Sequence, residues 1–173
     1  MPVDVLTEAT IDRPIAEVAS YAADPSNAPE WYANIISADW KTRPPLQRGS
    51  RIAFVSRFLG RRLEYTYDVV DFVPLERLVM RTVQGPFPME TTYAWHASAD
   101  GTTRMSIRNR GEPTGFSRIA APLMAAAIRR ANHKDLENLR SILEQRHPTP
   151  ARAVPPVESA PRRRGTGATP RQR

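Results

Sequence analysis

RIAFVSRFLGRRLEYTYDVVDFV, residues 51–73, is the stretch that decides the fold. Two β-type runs, 51–59 and 62–73, meet at Gly60-Arg61. Glycine followed by another residue suits a two-residue type II′ hairpin. That loop pairs Phe58 with Leu63, Ser56 with Tyr65, Phe54 with Tyr67 and Ile52 with Val69. One face is then mostly apolar and aromatic, and the other opposes Arg57 to Glu64. Faces of unlike character, with opposite charges across from one another, predict an antiparallel pair buried on one side.

Downstream, Pro74-Leu75-Glu76 is a turn, and a strand over 77–83 breaks at Gly85-Pro86. Residues 89–98 and 103–110 form a second hairpin around Asp100-Gly101. A three-residue loop, 100–102, puts Trp95 opposite Ile107 and Tyr93 opposite Asn109, which keeps the apolar faces together. After Gly111 the period becomes helical. Phe116, Ile119, Leu123, Ala127, Ala131, Leu136, Leu139 and Leu143 predict one long helix over 116–145, kinked or starting late at Pro122. Upstream, residues 3–11 read as a strand. Asp12 and Pro14 then open a helix carrying Ile15, Val18, Ala19 and Ala22 on one face, which ends before Asp24-Pro25. Residues 25–32 are a short helix or turn with Trp31 and Tyr32, and 34–42 are a strand.

The order is a strand, two short helices, six strands and a long helix. It predicts an α+β arrangement in which a curved antiparallel sheet is wrapped on the C-terminal helix. On ATIDRPIAEVASYAADPSNAPEWYANI (9–35), FLGRRLEYTYDVVDFVPLERLVMR (58–81) and the closing amphipathic helix, the chain resembles the START/SRPBCC superfamily. Within it, the polyketide cyclase/dehydrase group is the most similar in detail. The resemblance covers about residues 3–145 and implies the helix-grip fold. It also implies an apolar cavity between sheet and helix that takes lipids, polyketides or other hydrophobic molecules, with catalysis in only some members.

The net charge of +7 in 173 residues points at first to a polyanion partner. Its distribution points elsewhere. Residues 148–173 hold six arginines, six prolines and one acid, with no aromatic, and are expected to be a disordered tail. Residues 1–147 hold 19 basic and 17 acidic residues and are expected to be one domain. Specific nucleic-acid binding is not expected, because the aromatics fall on the inner face. The tail, through Arg162-Arg163-Arg164, either contacts an acidic partner or is simply solvated. The absence of cysteine excludes disulfides and thiolate chemistry. There is no spanning apolar run and no secretory leader, so a cytoplasmic protein is expected.

The hairpin registers assign an inner face whose best ligand contacts are Phe54, Tyr65, Tyr67, Met80, Tyr93, Trp95, Met105 and Asn109. Leu123 and Ala127 of the helix complete the set, with small alanines leaving room beneath it. Apolar walls with sparse hydroxyls and one amide suit a small-molecule pocket, although large aromatics in a filled core would give the same pattern. Trp31 and Tyr32 would close one end, as a gate or as a plug. Tyr65, Tyr67 and Tyr93 are the hydrogen-bonding candidates, since a buried phenol needs a partner. No catalytic residue is assigned. His96, His133 and His147 lack metal-ligand spacing, and no metal or cofactor is expected. Glu64, Asp68 and Glu90 point outward among arginines, so no paired carboxylates face inward. Three functions stay open: a hydrophobic-ligand binder, a cyclase or dehydratase using a cavity tyrosine to polarise a carbonyl, and an interaction module acting through the tail.

Overall fold

The computed structural model describes residues 3–112 and 121–146. Its elements are β1 (Val3–Ile11), α1 (Ile15–Ala23), a 3-10 turn (Pro25–Asn27), α2 (Ala28–Trp31), β2 (Ile35–Trp40), β3 (Arg51–Phe58), β4 (Arg61–Val73), β5 (Arg77–Gln84), β6 (Met89–Ala97), β7 (Thr103–Gly111) and α3 (Ala121–Gln145). The strands form one antiparallel sheet in the order β1-β7-β6-β5-β4-β3-β2. This is the expected helix-grip arrangement. Phe116, Ile119 and Ala120 of the expected helix, and the tail from Pro148, lie outside the described residues.

The sheet curls because bulges interrupt its ladders. β2 and β3 shift register between Ile35 and Ser37, and β4 and β5 shift at Thr66/Tyr67 and again at Val69/Asp71. An extra residue on one strand bends it and raises its twist. Charged side chains cover the convex face, where Arg51–Asp68, Arg81–Glu90 and Arg108–Asp4 pair at 2.7, 2.7 and 2.6 Å. The Arg108 guanidinium holds the Asp4 carboxyl down at about 2.

Both hairpins keep the expected faces and shift the expected register by two residues. In the first, Phe54 pairs with Tyr65 and Ser56 with Leu63. The loop is Leu59-Gly60, with φ of 49° and 76°. Two positive φ values are those of a type I′ turn, so Gly60 stands second in the loop and not first. Arg57 consequently faces Arg62, and Glu64 pairs instead with Arg62 along its own strand, at 3.2 Å. In the second hairpin the last pair is Ala97 with Thr103. Asp100 Oδ1 accepts from the Thr102 N–H and hydroxyl at 3.1 and 2.7 Å, which holds five residues, 98–102, in the turn. Tyr93 therefore faces Ile107, and Thr91 faces Asn109. A two-residue slip preserves side-chain parity, so the inner face survives both corrections.

One end of the concave face is packed solid. Val18, Trp31, Leu78, Trp95, Met105, Leu136 and Leu139 are buried there together. Arg13 ties the α3 C-terminus to this end, donating to the carbonyls of Glu144 and Arg146 at 2.7 and 2.9 Å. Asp12 does not cap α1 with its side chain, and its backbone N–H goes to Glu144 Oε1 instead. At the other end Met124 and Ile128 of α3 rest on Val3 and Val5 of β1. No helix among the described residues is long and apolar enough to cross a membrane.

Candidate functional site

Between the N-terminal half of α3 and strands β3 to β7 the packing opens into a cavity of about 140 Å³. Its walls are mainly apolar, with Phe54, Phe58, Leu63, Met80, Met89, Met124 and Ile128 among them. Curvature and the small Ala131 keep α3 from filling this space, as the leucines nearer the C-terminus of α3 do at the packed end. The polar groups in the walls are few; beside Asn34, Ser56, Tyr65 and Thr82, three sets stand out.

The first is a chain of hydrogen bonds running from helix to sheet. Asn132 Nδ2 of α3 donates to Thr7 Oγ1 at 3.4 Å and to Asn109 Oδ1 at 2.8 Å. Asn109 Nδ2 donates to Thr91 Oγ1 at 3.0 Å, and the Tyr67 hydroxyl meets the same oxygen at 3.0 Å. The second set is a pair of phenols. The Tyr32 and Tyr93 hydroxyls share a hydrogen bond, and the Tyr32 ring lies 4.0 Å from that of Trp31. Burial pushes the phenols of Tyr32, Tyr65, Tyr67 and Tyr93 above the usual tyrosine range, so all four are neutral donors.

The third is a single carboxyl. Asp135 of α3 is 2% exposed and lines the cavity. Its Oδ1 accepts the Ala33 backbone N–H at 2.8 Å. Burial pushes its pKa up to about 6, against the opposing effects of that hydrogen bond and of the Lys134 charge. A carboxyl so placed can carry or release a proton near neutral pH, and when ionised it puts a negative charge into an apolar space.

A family model described as "Polyketide cyclase / dehydrase and lipid transport" matches residues 2–144. The chain belongs to this family. No curated protein matches it in sequence. Among solved structures it is similar to the Zhui aromatase/cyclase from Streptomyces sp. R1128, with a TM-score of 0.72 at 13% identity, covering 84% of this chain and 96% of that one. It is equally similar to a START superfamily protein from Mycobacterium smegmatis, with a TM-score of 0.72 at 14% identity, covering 82% of this chain and 97% of that one. At such identities the likeness is one of fold. Family membership makes this a fold built to hold hydrophobic ligands.

Of the residues singled out from sequence, Phe54, Tyr65, Tyr67, Met80, Tyr93, Asn109 and Tyr32 line the cavity of this family member. Five do not. Trp95 and Met105 share the inner face with Tyr93, but they sit further along their strands, sealed in the packed end. Trp31 is completely buried in that packed end as well, behind the Tyr32 ring that faces the cavity. Leu123 is 75% exposed, and Ala127 is absent from the walls. The expected stripe contained a five-residue step from Ala131 to Leu136, which rotates about 140° around a helix. Leu123 and Ala127 are thereby carried off the inner face, while Ala131 still reaches the cavity wall. The observed inner face is Met124, Ile128, Asn132, Asp135, Leu136, Leu139 and Leu143.

Asn132 and Asp135, with the apolar Met124 and Ile128, are thus the helix residues of the site missed in the sequence. Stepping back from Leu143 in threes and fours would have found them. The outward assignment of Glu64, Asp68 and Glu90 matches their ion pairs, so the inward carboxyl comes from the helix and not from a strand.

Proposed function

We propose that the chain binds a small hydrophobic molecule in the cavity beneath α3. The observation that carries this reading is the open space itself, between apolar walls whose polar groups are few and largely paired to one another. Such a wall desolvates an apolar ligand at little cost and orients it through a small number of hydroxyls and amides. Titration with the neutral dye N-phenyl-1-naphthylamine tests it. Saturable fluorescence enhancement is expected, and it should be lost in Ala131→Leu, which extends a side chain into the space. Enhancement equal in both proteins would refute the cavity as the site.

The cyclase or dehydratase reading of the same cavity gains one specific support. Asp135 could move a proton next to phenols that polarise a carbonyl. Bound ligand recovered unchanged from the native protein, by mass spectrometry, would favour carriage over turnover. Two further elements belong to the proposal: residues 1–147 as the binding domain in a cytoplasmic protein, and the arginine-rich 148–173 as a contact for an acidic partner. Salt-sensitive binding to a polyanion that survives removal of 148–173 would sink the last of these.

A further inference from the structure

Resting on the reading of the cavity as a hydrophobic-ligand site, we infer that Asp135 makes it select hydroxyl-bearing neutral ligands over carboxylate-bearing ones. Among the described residues that line the cavity there is one carboxyl and no lysine, arginine or histidine. Lys134, whose charge acts on Asp135, is solvent-exposed and stands outside the walls. An anionic headgroup entering this space meets no cation to offset its lost hydration, and it meets a second acid.

A hydroxyl meets the opposite situation. Asp135 Oδ1 is committed to the Ala33 N–H, while Oδ2 has no hydrogen-bond partner among the described residues. Unlike the indole nitrogens of Trp31 and Trp95, which are unpaired and fully occluded, Oδ2 is not sealed off. It is an unpaired acceptor on a side chain that lines the cavity. The Tyr32 and Tyr93 hydroxyls share one hydrogen bond between them, so one of their two protons is uncommitted. Ala33, whose N–H holds Asp135 Oδ1, directly follows Tyr32 in the chain, and Tyr32 is hydrogen-bonded to Tyr93, which brings the acceptor and the free donor into one neighbourhood. A ligand O–H donates to the first and accepts from the second. A carboxylate can use only the donor.

The experiment uses two compounds with the same ring system, 2-naphthalenemethanol and 2-naphthoate, titrated calorimetrically into the full chain near pH 8. The alcohol should bind about tenfold more tightly or better, since only the anion carries an uncompensated buried charge. In Asp135→Asn the preference should shrink to about threefold or less, chiefly through a gain for 2-naphthoate, because the like charge is gone. Asp135→Ser, which fits the same space, carries the same expectation should the amide impair folding. Equal affinities in the wild type, or a preference unchanged in the variants, would overturn the selectivity and leave the cavity reading standing. Binding of neither compound would remove both.

Discussion

Replacing Asp135 by Asn turns the burial of this carboxyl into a measurable quantity. Burial pushes the carboxyl up to about 6 in the fold, from an ordinary value near 3.8 in the unfolded chain. That displacement corresponds to roughly 3 kcal/mol of differential stability between the two protonation states. The sign follows from proton counts. Between the two values the native state binds more protons than the unfolded chain, so stability falls as pH rises through that window. The penalty is complete above the folded value and absent well below the unfolded one. Asparagine has no such titration, and its carbonyl can still accept the Ala33 N–H. The stability of the variant relative to wild type should therefore be about 3 kcal/mol more favourable near pH 8 than near pH 3.5. Any constant effect of the amide cancels in that difference. For a chain of this size the gap appears as a shift of about 1–2 M in the urea midpoint. Urea unfolding followed by tryptophan fluorescence at the two pH values measures it. A difference that does not change with pH, or one that falls as pH rises, would show that the carboxyl is solvated in the native state.

The tyrosines give an independent readout. All five are held above their ordinary range, Tyr21 at about 12, by burial and by its Glu30 partner. Absorbance at 295 nm should stay flat past the usual tyrosine pKa of about 10 and then rise with unfolding; an early gradual rise would place a phenol in solvent. Arg13→Ala removes two hydrogen bonds to the last carbonyls of α3 and should cost about 1–3 kcal/mol, with faster amide exchange confined at first to that helix end. Asn132→Ala breaks the helix-to-sheet chain and should cost a similar amount, about 1–3 kcal/mol, in thermal or urea unfolding. Truncation before Pro148 should leave dye affinity within about twofold, since every wall residue among the described residues precedes it.

The strands were legible because their faces differ, as in β3, where the charges Arg51 and Arg57 share one face and Ile52 and Phe54 lie on the buried other. Parity survives a two-residue slip, so the wall residues Tyr65, Tyr67, Tyr93 and Asn109 were found although their partners were misassigned. Depth along a strand leaves no such mark. Tyr93 and Trp95 alternate identically, and only the leucines of α3 and the plug at Trp31 decide that one faces space and the other solid packing. On α3 the alanines blur the period, and polar residues at inner positions work against it. Asn132 and Asp135 look like surface residues until the helix is laid on the sheet.

The chain of hydrogen bonds from Asn132 through Asn109 and Thr91 to Tyr67 bears on how the cavity keeps its volume. Oil-lined hollows tend to shrink, because neighbouring side chains drift inward to recover lost contacts. Here the roof stands on amide struts of set length. Lowering α3 onto the sheet would crush them, and lifting it would strand buried polar atoms. Volume in this molecule is therefore a property of its polar minority. The cavity's shape is set by the protein's own polar bonds, so binding need not carry the cost of opening it.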